Sequence, residues 1–191
     1  MTWNESNLIP DKKWNKRHQK IASTISPLIK YFHDFGCGKQ YISEFLDSKT
    51  LYCGYDKFQY HPNSIVVDLD SSKIELLYAF CKTTDRRLTA LCFEGVLEYL
   101  QDPLKTLANI LELYQNPRQV VLSVHSLQIQ TLASKLRIKL LRTLKPQLVY
   151  DKSNINIQLV SYVLFSRGYI MNEWLVDAET NIVSFLSTDL I

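Results

Sequence analysis

Asp34, Gly36 and Gly38 stand close together in the stretch Tyr31-Phe32-His33-Asp34-Phe35-Gly36-Cys37-Gly38-Lys39-Gln40. Their types and spacing suit the binding of a ligand that carries both charges. Glycines one residue apart let the main chain turn sharply and lie bare against a ligand. The N–H groups in the first turn of a following helix attract an anionic group. Asp34, just before the turn, supplies an acceptor for a cationic one. A zwitterion meets both demands better than a phosphate does. A tight strand-to-helix turn with no ligand would also use these glycines.

Two further residues could do chemistry. Asp56 lies 20 residues beyond Gly36, at the end of the run Leu51-Tyr52-Cys53-Gly54-Tyr55. An acid there can take both hydroxyls of a ribose, because one carboxylate forks across a vicinal diol. A helix cap or plain loop acid has the same sequence. His125 ends the run Val120-Val121-Leu122-Ser123-Val124. Imidazole titrates near neutrality, so His125 is a candidate general base, with pocket lining as the alternative.

These residues need a scaffold that brings strand ends together. Apolar runs over Ile29 to Phe35, Leu51 to Tyr55, Ser64 to Val67, Leu88 to Phe93 and Val120 to Val124 predict five strands. Helical patterns alternate with them. One starts at Tyr41, one spans Lys73 to Cys81 after the cap Asp70-Ser71-Ser72, and one starts at Pro103 after the cap Asp102. Leu132, Leu136, Leu140 and Leu144 predict an amphipathic helix over 128–145, and its cations Lys135, Arg137, Lys139, Arg142 and Lys145 read as a solvated face, with a lid over an acidic substrate or a membrane-surface contact as the alternatives. A helix from Ile155 to Phe165 should stop at Gly168. Tyr169 to Val176 and Ile182 to Leu186 then read as an antiparallel hairpin. Upstream, Asp11 caps a helix whose Trp14, Ile21 and Ile25 should dock on the domain. The alternation implies an α/β fold. Residues 1–191 read as one domain, with 1–27 a helical segment packed on it.

Composition narrows the setting. Hydrophobic residues are 46% and charged ones 21%, as in an ordinary globular chain, and the net charge of +3 argues against a nucleic-acid partner. Cys37, Cys53, Cys81 and Cys92 show no metal-binding spacing, so no metal is expected. Cys53 and Cys92 sit in apolar runs and read as buried free thiols, which points to a reducing, cytoplasmic setting. The first 20 residues lack the apolar core of a signal peptide, and no run approaches the roughly 18 apolar residues of a membrane span.

Known ligand motifs separate the readings. A phosphate-binding P-loop needs Gly-Lys-Ser/Thr, and Gly38-Lys39-Gln40 lacks it. The dinucleotide fingerprint needs a third glycine where Tyr41 stands. Asp34-Phe35-Gly36-Cys37-Gly38-Lys39-Gln40 resembles the first motif of class I S-adenosylmethionine-dependent methyltransferases, acid-x-Gly-x-Gly-x-Gly, with Gln40 in place of the last glycine. Glu94-Gly95-Val96-Leu97-Glu98-Tyr99-Leu100, followed by Gln101-Asp102-Pro103, resembles the fourth-strand motif of the same family. The family usually has an acid near the start of that strand, where this chain has Thr89. The resemblance covers about residues 30–125.

The resemblance implies a Rossmann-like, doubly wound sheet of seven mostly parallel strands with a C-terminal antiparallel hairpin. It implies methyl transfer from S-adenosylmethionine to an oxygen, or less readily a nitrogen; the small size and short insertions of the chain favour a small metabolite, sugar or glycan as acceptor over a folded RNA. Asp34, Gly36, Cys37 and Gly38 would hold the methionine end, Asp56 with its neighbour Lys57 the ribose, Asp68 and Leu69 the adenine, and Glu94 and Gly95 the sulfonium side. A non-catalytic S-adenosylmethionine-binding partner protein and a nicotinamide-dependent oxidoreductase are the alternatives.

Overall fold

The structure is a computed structural model and describes residues 12–71, 77, 84–125, 157–177 and 180–190. Its helices are α1 (Lys12–Ser23), α2 (Pro103–Leu113) and α3 (Ile157–Phe165). Its strands are β1 (Tyr31–Phe35), β2 (Leu51–Asp56), β3 (Ile65–Val66), β4 (Thr89–Glu94), β5 (Gln119–His125), β6 (Tyr169–Asp177) and β7 (Thr180–Ser187). They form one sheet in the order β3-β2-β1-β4-β5-β7-β6. The first five strands are parallel, and β7 runs antiparallel to both β5 and β6. The expected mostly parallel, seven-stranded sheet is therefore present.

The central strands form because their residues are apolar on both faces. Ala90, Leu91, Cys92 and Phe93 are wholly buried. On one face Phe35, Phe93 and Leu122 pack with Leu107, Ile110 and Leu111 of α2 and Val160 and Leu164 of α3. On the other Phe32, Ala90, Cys92 and Val121 pack with Ile21 of α1. Sheets buried on both sides need such unbroken apolar runs. Asp102 caps α2 by accepting from the Lys105 N–H at 3.1 Å, and Pro103 opens the helix.

Three expectations need correction. The helix after the glycine turn is a single short 3₁₀ helix, Tyr41–Phe45, because Asp47 and Ser48 turn the chain back to begin β2 at Leu51. The third strand keeps only Ile65 and Val66; it lies at the sheet edge, paired on one side. Cys53 is half-buried, while Cys92 is buried as expected. The helices read over Lys73 to Cys81 and 128–145 lie outside the described residues, apart from Leu77.

One polar cluster sits inside the apolar layer. Nδ1 of His33 lies 2.9 Å from the hydroxyls of both Tyr55 and Tyr114. Burial pushes the His33 pKa down to about 4. The unfolded chain takes up this proton near the ordinary histidine value, and the folded chain refuses it until about pH 4. The contribution of His33 to stability should thus fall by about 3 kcal/mol as pH drops from 6.5 to 4. Asp34 titrates with the opposite sign over the same range, so denaturant titrations should show this slope in Asp34→Asn and its loss when His33→Phe is added.

Candidate active site

The parallel register sets the carboxyl ends of β1, β2 and β4 side by side, with Asp34 opposite Gly54 and Cys92. Asp34 is buried, and its Oδ2 accepts from the Tyr52 hydroxyl at 2.6 Å. Its Oδ1 is also buried and has no hydrogen-bond partner. Desolvation raises the Asp34 pKa to about 7; Glu94 and Asp56 push the same way, while Tyr52 and His18 oppose them.

The glycine turn follows. Gly36 and Gly38 take φ of 81° and 50°, in the left-handed region that glycine enters without steric cost. The Gly36 and Cys37 N–H groups donate to the Tyr55 carbonyl at 2.8 and 3.1 Å. The Gly38 N–H donates to Asp56 Oδ2 at 2.9 Å. These N–H groups brace the turn against β2. Gln40, where the family motif has glycine, also takes a left-handed φ of 64°. Its side chain and Cys37 fill the space that a Cβ on Gly54 would occupy.

Asp56 also fixes its own loop, since its Oδ1 accepts from the Phe58 N–H at 3.1 Å. Lys57 Nζ lies 2.8 Å from Asp68 Oδ2, and this cation holds the Asp68 carboxyl below its ordinary range. Leu69 beside it is buried. At the end of β4, Glu94 Oε2 meets His18 Nε2 of α1 at 3.2 Å. Gly95 turns the chain at φ 60° and donates its N–H to the Ser123 carbonyl.

These groups surround one cavity of about 250 Å³. Asp34, Gly36, Cys37, Gly38, Asp56, Lys57, Asp68, Leu69, Glu94 and Gly95 all line it. The ten residues read from the sequence as ligand-binding are thus brought to a single wall system. Among the described residues, no group of histidine, cysteine, aspartate or glutamate could hold a metal ion. Nor is any described helix long and apolar enough to cross a membrane.

No protein-family model matches the chain. No curated protein matches it either. Solved structures do match over nearly its whole length. A SAM-dependent methyltransferase from Archaeoglobus fulgidus superposes with a TM-score of 0.63 at 13% identity, covering 96% of this chain and 97% of that one. An S-adenosylmethionine-dependent methyltransferase from Mesorhizobium loti gives 0.61 at 13% identity, covering 94% and 99%. The CurJ carbon methyltransferase gives 0.59 at 13% identity over 95% of this chain, which spans 57% of that one's length. The chain has the class I methyltransferase fold.

In this methyltransferase fold, ligands gather outside the carboxyl ends of the parallel strands. The cavity lies there. His125 ends β5 on the same edge, paired with Thr180 of β7. Its side chain lies outside the described residues.

Sequence reasoning missed several lining residues. Trp14 was read only as a docking residue, yet it and His18 line the cavity from α1. A signal existed: Trp14, His18, Ile21 and Ile25 follow helical spacing, so one stripe carries both the anchors and the site residues. Tyr41 and Tyr60 add aromatic lining. Tyr52, the donor to Asp34, had no local signal.

Proposed function

We propose that the chain is an S-adenosylmethionine-dependent methyltransferase acting on a small molecule. The observation that carries this reading is Asp34. A buried carboxylate oxygen without a partner, beside a cavity at the ligand edge of this fold, fits the cationic amine of a methionine moiety. Leu69 and Val67 give an apolar wall for a flat base, with Asp68 at its edge. Asp56, which lines the same cavity, would take the ribose.

Bound S-adenosylmethionine supplies an electrophilic methyl group on a sulfonium. The protein's part is to orient, to exclude water and to manage charge. Asp34 would answer the amine, and Glu94 and Gly95, which also line the cavity, would flank the sulfonium side. Trp14 and Tyr41 offer aromatic faces to a small metabolite or sugar ring. An oxygen of that acceptor, or less readily a nitrogen, would receive the methyl group, with His125 at the end of β5 as the candidate base for its proton. The free thiols of Cys37, Cys53 and Cys92 support a reducing, cytoplasmic setting.

Calorimetry with S-adenosylhomocysteine tests the reading. Binding should be micromolar, on the order of −8 kcal/mol. Asp56→Ala should lose roughly 2–4 kcal/mol of that affinity. It should also lower folding stability by about 1–3 kcal/mol, because the Gly38 and Phe58 N–H groups lose their acceptor. A folded sample that gives no heat at millimolar ligand would remove the methyltransferase reading.

A further inference from the structure

The first half of α1 reaches over the cavity, while its far end is fixed to the sheet. Ile21 is wholly buried in the apolar layer beneath α1. Gln119 of β5 donates through Nε2 to the Thr24 carbonyl at 2.6 Å and accepts from the Ser26 N–H at 2.9 Å. Toward its start, α1 meets the site through Trp14 and His18. The His18 ring lies 6.3 Å from that of Phe45 and 6.1 Å from that of Trp14. Its Nε2 bonds Glu94 at 3.2 Å, and both side chains are less than a tenth exposed.

A carboxylate so deeply buried needs a donor, and α1 supplies it. Glu94 Oε1 has no hydrogen-bond partner, so the imidazole contact on Oε2 matters the more. We propose that His18 is a positioning residue: its bond to Glu94 seats the first half of α1 as a wall of the cavity, and cofactor retention depends on that seating. This rests on the methyltransferase reading for the identity of the ligand, though not for the seating itself. Without the imidazole, Glu94 is left buried without its donor, and relief comes by admitting water and lifting α1. Seating the helix and shielding the sulfonium side of the site are then one event.

The test compares His18→Leu, His18→Asn and His18→Gln. The glutamine amide can donate from near the place of Nε2; the shorter asparagine cannot reach. Hydrogen exchange is read on the ligand-free proteins first. Protection of the amides of residues 15–18 should fall at least about tenfold in His18→Leu and His18→Asn and return to within about threefold of wild type in His18→Gln, with β4 and β5 unchanged. S-adenosylhomocysteine affinity should follow the same order, about tenfold weaker without the donor and recovered with it. In a background with Trp3→Phe and Trp174→Phe, Trp14 is the sole tryptophan, and its emission should respond to the ligand only where the donor is kept. Should His18→Leu fail to fold, His18→Asn decides alone. Exchange and affinity within threefold of wild type in the donor-free variants, or a glutamine variant that behaves like them, would overturn the proposal. If the wild type binds no S-adenosylhomocysteine, the cofactor reading fails, and the ligand-free exchange still decides the role of His18.

Discussion

S-adenosylhomocysteine should bind the wild-type protein about 25-fold more weakly at pH 5.5 than at pH 7.5. The reason lies in Asp34. Burial holds its carboxyl protonated up to about pH 7. A cationic amine binds only the ionised form, so binding must expel the proton. Affinity then rises tenfold per pH unit below 7 and levels off above it. Calorimetry in two buffers of different ionisation heat should register a proton released near pH 6. Asp34→Asn should remove the pH slope and leave affinity at the weak, acid-side value.

The same residue has an opposite effect on folding. The unfolded chain ionises Asp34 near pH 4, while the folded chain keeps the proton to about 7. Folding stability from this group therefore falls as pH rises between those values. At pH 8, ligand-free Asp34→Asn should be more stable than wild type, by at most about 4 kcal/mol. Binding weakened and stability raised by one substitution would mark a carboxylate held at the expense of the fold. An Asp34→Asn protein that binds as well as wild type, with the same pH slope, would exclude the amine contact.

Gly36→Ala should be the most damaging substitution in the turn. A Cβ there would stand 2.7 Å from Val96 Cβ and 2.8 Å from its Cγ2, at a backbone φ of 81°. Val96 is β-branched and follows the left-handed Gly95, so it has little room to retreat. The expected loss is about 3 kcal/mol of stability, with ligand binding abolished. Gly95→Ala is the internal control. It too has a left-handed φ, but nothing lies within 4 Å of its added Cβ. It should cost about 1 kcal/mol, the conformational part alone. Gly36→Ala combined with Val96→Gly removes the clash and should recover most of the difference. Denaturant unfolding of the three variants separates strain from contact. Equal losses in Gly36→Ala and Gly95→Ala would show that the close approach of Val96 is unimportant.

The strands at the centre of the sheet were legible because burial on both faces writes them as unbroken apolar runs. Their carboxyl ends were legible because Asp34, Asp56, Asp68 and Glu94 each close such a run. All ten residues named from those ends line the cavity. Contacts made across the fold were not legible. His18 meets Glu94, and Tyr52 meets Asp34, only after α1 and β2 have been placed against the sheet. Gln40 is instructive in another way. It departs from the family motif, which has glycine there. In the structure it still takes the left-handed conformation of the missing glycine, and its side chain uses room left by Gly54. The departure stands at one position and its compensation at another, on the next strand.

The place of β7 bears on how the chain comes to be folded during synthesis. β7 lies between β5 and β6, though both precede it in the chain. Until Thr180 to Ser187 have been made, β5 has a bare edge and β6 has no described neighbour in the sheet. The nascent chain must therefore carry an unpaired strand edge through that interval, the kind of surface on which other chains add. A chain cut short before Thr180 would keep the β5 edge bare. Only the arrival of β7 seals the edge, so the sheet is completed from its interior, after both its neighbours have been made.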